Sequence, residues 1–143
     1  MPIPAFRPDG YLPLGVHAAA EMEVADRFGR GTVRRVALMA RVAQWLALAR
    51  AVGARRFLVD GSFVTAKPEP GDVDCVCWLP ADFEQQFLRD KSEAIRLYQM
   101  LVTRRPEELF GVFTAHRWER WITFFSQTRE PDGRRKGLVE VML

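Results

Sequence analysis

The stretch Val59–Trp78, VDGSFVTAKPEPGDVDCVCW, decides the fold of this chain. It opens inside a short apolar burst, Arg56–Asp60 (RFLVD), that ends at Gly61 as a buried strand does. Pro68 and Pro70 then mark Ser62–Gly71 as loop. Asp72–Leu79 (DVDCVCWL) is rich in β-branched and aromatic residues and stops at Pro80, so it reads as a second strand. Side chains alternate across a strand, which puts Asp72, Asp74, Val76 and Trp78 on one face. Val73, Cys75, Cys77 and Leu79 make up the other face, which is wholly apolar and therefore faces helices.

Two carboxylates at i and i+2 sit side by side at the start of that strand. Like charges so close are costly unless a cation or several donors compensate them. A hard divalent cation, Mg²⁺ or Mn²⁺, does this with one or two carboxylates and the oxygens of a substrate phosphate. The Gly61-Ser62 pair follows a buried strand and offers an approachable backbone and a hydroxyl, equipment for holding phosphate. Lys67 in the same loop is either a further phosphate donor or a solvated lysine, and Asp60 reads as a hydrogen-bonding partner of the turn. Pro-Gly-Asp is also an ordinary turn, and an isolated D-x-D would read as loop solvation. The strand–Gly–Ser ahead of it, at suitable spacing, favours the functional reading.

Outward from this segment, residues 1–16 are punctuated by Pro and Gly and read as an irregular arm. Ala18–Phe28 is helical in composition and stops at Gly29. Thr32 can cap a longer helix to Val52, closed by Gly53, with Leu38, Val42, Trp45 and Ala49 at helical spacing. Arg34, Arg35, Arg41 and Arg50 supply its polar ground. Ala81–Arg104 reads as a long amphipathic helical region broken at Pro106, and Leu109–Ala115 (LFGVFTA) as a third strand. Arg117–Ser126 is ambiguous between helix and strand. Pro131-Asp132-Gly133 is a turn, and Gly137–Leu143 a closing strand. The expectation is one α/β (α+β) domain over residues 1–143, a small mixed sheet flanked by helices.

Composition narrows the function classes. The chain has 143 residues, 48% hydrophobic and 27% charged, the profile of a globular domain and not of a disordered one. No apolar run reaches the roughly 18 residues of a membrane span, and MPIPAFRPDG lacks the features of a secretory leader. The cytoplasm is the expected location, with no membrane partner. The net charge is +3, and arginine supplies 18 of the 21 basic residues, a bias that GC-rich coding also produces. Nucleic acid is therefore a weakly supported partner, and no helix-turn-helix or zinc pattern marks a DNA binder. Cys75 and Cys77 share a strand face with parallel vectors and have no second ligand pair, since His17 and His116 stand alone. They read as buried, reduced thiols. Arg134, Arg135 and Lys136 form a tight basic cluster, read as a charged hairpin edge ahead of a set of phosphate donors.

The arrangement apolar–Gly61–Ser62, nine intervening residues, then Asp72–Val73–Asp74 and an apolar strand resembles the signature of the polymerase-β-type nucleotidyltransferase superfamily. More narrowly, GSFVTAKPEPGDVD, DGYLPLGVH and QTREPDGRRKG resemble a bacterial family of uncharacterised nucleotidyltransferase-like proteins. The resemblance implies a nucleotidyltransferase-like fold, with Gly61 and Ser62 touching a nucleoside triphosphate and Asp72 and Asp74 as catalytic, metal-binding carboxylates. The superfamily adds a third carboxylate on a later strand. Leu109–Ala115 contains none, and Glu140 in the closing strand is the one substitute within a strand. Two functions follow. One is a metal-dependent transfer of a nucleoside monophosphate from NTP to a hydroxyl on protein, RNA or a small molecule. The other is a catalytically degenerate binding or regulatory module, for instance the antitoxin-like half of a toxin–antitoxin pair with a protein partner encoded nearby.

Overall fold

A computed structural model describes residues 3–103 and 108–143. Five strands form one sheet in the order β1-β5-β2-β3-β4: β1 Val16–Ala19, β2 Arg56–Asp60, β3 Asp74–Trp78, β4 Glu108–Val112 and β5 Leu138–Val141. β2 runs antiparallel to both β3 and β5, while β1 lies parallel to β5 and β4 parallel to β3. The expected α/β class, a mixed sheet with flanking helices, is what forms.

Both faces of the sheet are buried, and the strand pattern says why. Phe57, Val59, Cys75 and Cys77 point to one face, where α2 (Val33–Val52) lays down Leu38, Val42 and Trp45. α1 (Glu21–Phe28) adds Val24, and α4 (Ser92–Val102) adds Leu97. Leu58, Val76 and Trp78 point to the other face and meet Trp118 and Phe125 of α5 (Ala115–Phe125). α2 keeps both expected boundaries. Thr32 accepts from the Arg35 N–H at its start, and Gly53 closes it in the left-handed conformation at φ 79°. The ambiguous Arg117–Ser126 is a helix, capped by Thr114, because its aromatic residues recur on one side and cover the sheet.

Three expectations about the elements are corrected. Residues 16–19 are neither arm nor helix but the edge strand β1, held by its register against β5, Val16↔Leu138 to Ala19↔Val141. The region expected as one helix from Ala81 is two, α3 (Phe83–Leu88) and α4, with Asp90 at φ 60° making the turn between them. Its expected end at Arg104 and the break at Pro106 lie outside the described residues. Arg35 is not polar ground but buried, at 8% exposure.

Its guanidinium donates to four backbone carbonyls: Phe28 (3.1 Å), Phe63 (2.8 Å), Thr65 (2.7 Å) and Lys67 (2.6 Å). Burial lowers its pKa, and no carboxylate hydrogen-bonds to it among the described residues. The charge is spent on fastening the loop after β2 to the start of α2. Arg35→Met keeps the stem and leaves those carbonyls without their charged donor, a loss of about 2–4 kcal/mol. Urea unfolding should show that loss, with new protease cleavage within residues 62–71; an unchanged midpoint would contradict the clamp.

Candidate functional site

The site is built where β2 ends and β3 begins. Gly61 adopts φ 88°, and a Cβ there would lie 3.0 Å from the Asp74 nitrogen and 3.0 Å from the Val73 Cα. Glycine is therefore required twice, for the left-handed conformation and for the close approach of β3. Ser62–Val64 then forms one turn of 3-10 helix. The Ser62 N–H donates to Asp72 Oδ1 at 2.8 Å and its hydroxyl donates to the same oxygen at 2.6 Å. That hydroxyl also accepts from the N–H groups of Gly71 (2.9 Å) and Asp72 (3.2 Å). Ser62 thus orients Asp72 in this geometry, instead of presenting its hydroxyl to a phosphate. Lys67 is exposed and stands apart from the cavity described below; its carbonyl is the part that is held, by Arg35.

Asp74 opens β3 and lies in register with Asp60 on one side and with Glu108, the first residue of β4, on the other. Asp72, two residues earlier, lines the same cavity as Asp74 and Glu108. A third carboxylate therefore exists, and the expectation that the third strand carried none is corrected. The strand starts at Glu108, one residue before the apolar run, because the Glu108 N–H donates to the Val73 carbonyl at 3.1 Å and extends the ladder. An acidic residue directly ahead of LFGV was the signal available for it. Glu140, the substitute, is occupied elsewhere: the Arg56 guanidinium grips it through two bonds, of 2.7 and 2.5 Å.

The electrostatics follow from that crowding. Burial pushes the Asp74 carboxyl up to about 7, helped by the charges of Asp72, Asp60 and Glu108 and opposed by Lys136. Asp60 is pushed up to about 6 by burial, against the pull of Lys136 and of the Gly61 N–H. Lys136 is itself buried and ion-pairs with Asp60, so the expected basic cluster is divided. Arg134 pairs with Asp132 and Asp9, and Arg135 forms a backbone bridge to Gln127. None of the three lines the cavity. Cys75 and Cys77 are free and buried on the face opposite the carboxylates, as expected. Burial pushes the Cys77 thiol up to about 12 and Cys75 well above its ordinary value, which leaves both inert.

The carboxylates form one end of a cavity of about 610 Å³. Phe110, Trp121, Phe124 and Phe125 line it as a continuous aromatic cluster, with Trp121 stacked on Phe110 at 4.3 Å and on Phe125 at 5.1 Å. Arg117, Arg120 and Arg129 complete it, all exposed and without a side-chain partner among the described residues. Three acids and three guanidinium groups uncommitted among the described residues thus share one aromatic-lined cavity. Sequence reasoning missed both Glu108 and this α5 wall, because nothing local shows that residues 117–129 return to β3.

Residues 4–142 match a sequence family over nearly the whole chain. The chain belongs to a family of unknown function, DUF6932. Comparison with curated proteins and with solved structures found no match to either.

Among the described residues no three acidic, His or Cys side chains are already drawn together as a cation cage. The donor set nevertheless suits a hard cation. It is all oxygen, the one ammonium beside it among the described residues is Lys136, which is committed to Asp60, and burial together with the neighbouring carboxylates pushes Asp74 up to about 7.

Asp74 ionises near 3.8 when unfolded and near 7 when folded. Between those values the native state holds a proton that the unfolded chain has released, so stability declines as pH rises through this window. Asp60 adds the same trend up to about 6. In chelator, thermal melting should show lower stability at pH 8 than at pH 5. Asp74→Asn should flatten the decline and melt higher than the parent at pH 8. An Asn variant that melts lower there would contradict the repulsion.

Proposed function

We propose that this protein is a metal-dependent nucleotidyltransferase with a nucleotidyltransferase-like fold. It would move a nucleoside monophosphate from NTP to a hydroxyl acceptor, breaking the bond between the α- and β-phosphates and releasing pyrophosphate. The observation that carries the reading is the row Asp72, Asp74 and Glu108 at the starts of adjacent strands, lining one cavity with arginines that have no side-chain partner among the described residues. The Gly-Ser turn locked onto Asp72 supports it.

Asp72 and Asp74 would hold Mg²⁺ or Mn²⁺, Asp72 through the oxygen not bonded to Ser62. Bound there, the cation would neutralise the triphosphate and orient its α-phosphorus for in-line attack. Ser62 fixes the rotamer of Asp72 by two bonds to one oxygen, which keeps the second oxygen aimed. Arg129, beyond the end of α5, offers guanidinium donors to phosphate oxygens. Glu108 stands beside Asp74 in the role of base, taking the proton of the attacking hydroxyl. A degenerate binding module, antitoxin-like or otherwise, would follow from a missing third carboxylate, and Glu108 in register with Asp74 favours the transferase instead. The acceptor is sought first on a protein encoded nearby.

Calorimetry should detect NTP binding that requires Mg²⁺ or Mn²⁺ and is lost in the Asp72→Asn/Asp74→Asn double variant, which still folds. Glu108→Gln should retain most of the binding and lower transfer of labelled nucleotide by about 10²–10⁴-fold, the usual worth of a positioned base. Binding without transfer in the parent protein would favour the binding module. No binding at millimolar NTP and metal would refute both.

A further inference from the structure

The cavity changes chemistry along its length. Only Phe113 and Thr114 separate β4 from α5, so the helix runs back along the strand. Trp118 packs on Trp78, which is opposite Val112 in register, and Trp121 on Phe110. The C-terminal turn of α5 therefore lies toward Glu108, and Arg117 and Arg120 lie at the far end. Glu108 and Phe110 share a strand face, two residues and about 7 Å apart. A ribose spans that kind of gap between an α-phosphate held at the carboxylates and a base over the aromatic floor.

Half-buried Trp121 and Phe124, which is 59% exposed, present ring surface there. Stacking on such rings favours the larger face of a purine. Apart from the three carboxylates, the charged side chains lining the cavity among the described residues are arginines, and these donate without accepting. A purine offers them N7, and guanine adds O6; a pyrimidine ring has no N7. We propose that the cavity selects purine nucleoside triphosphates, with the base stacked on Trp121, walled at its side by Phe124, whose ring stands at 85° to the indole, and its N7 edge facing Arg117 and Arg120. This rests on the nucleotidyltransferase reading and names its substrate class.

The test titrates the full chain with Mg²⁺ and ATP, GTP, CTP, UTP or inorganic tripolyphosphate by calorimetry, following indole emission in parallel. Trp45, Trp78 and Trp118 are buried at 2%, 8% and 0% exposure, so quenching reports on Trp121. ATP and GTP should bind about ten-fold tighter than CTP and UTP, within what one base–aromatic stack supplies, and should quench. Tripolyphosphate should bind without quenching. Arg120→Met and Phe124→Ala, both at exposed positions, should erase the purine advantage and leave tripolyphosphate affinity unchanged. Trp121 is left intact because it packs on Phe110 and Phe125. Equal affinity for all four nucleotides, with tripolyphosphate still bound, would overturn the selection and leave the triphosphate site standing. No binding of any probe, tripolyphosphate included, would overturn both.

Discussion

Four carboxylates crowd the same end of three neighbouring strands, and among the described residues one buried ammonium answers them. Asp60, Asp74 and Glu108 stand in register across β2, β3 and β4, with Asp72 just ahead. Lys136 is taken up by Asp60. Folding therefore crowds carboxylates at a half-buried position, where burial first and the neighbouring charges second raise the Asp74 carboxyl. A chain selected for stability alone would place an amide or an apolar residue there. Strained electrostatics of this kind cluster where a protein binds something of opposite charge.

The remainder of the scaffold holds that end in place. A sheet buried on both faces fixes the directions of β2, β3 and β4. Arg35 ties the loop after β2 to α2 through four carbonyls, and Ser62 closes the loop onto Asp72. Lys136 reaches Asp60 from the chain after α5, where its N–H also donates to the Ser126 carbonyl. One residue thus joins the C-terminal end of α5 to the end of β2. Ordering the acids, the loop and the aromatic wall is one structural task.

What was legible in the sequence was local. Alternation along DVDCVCW put Asp72 and Asp74 together and the cysteines behind them, because a strand's period of two needs no partner to be read. Thr32 and Gly53 bounded α2 through capping, also a local rule. What escaped depended on distant chain. The four-residue β1 has no periodicity of its own and exists through its pairing with β5. Glu108 was passed over because hydrophobicity marks where a strand is buried, while the ladder begins one residue earlier. The turn at Asp90 splits a helix without glycine or proline to announce it. The Asp60–Lys136 pair spans 76 residues. The α5 wall belongs to the site only because the helix folds back over β3 and β4.

On the proposed function, the carboxylate end of this cavity would hold a divalent cation together with a triphosphate. Crystals grown with Mn²⁺ and a non-hydrolysable NTP analogue test it most directly, because Mn²⁺ scatters anomalously. An anomalous peak is expected at about 2.1 Å from oxygens of both Asp72 and Asp74, a separation suited to a small hard cation. Phosphate oxygens of the analogue should complete its coordination. Ordered analogue elsewhere on the surface, or a cavity in which the carboxylates hold no manganese at saturating metal, would contradict it.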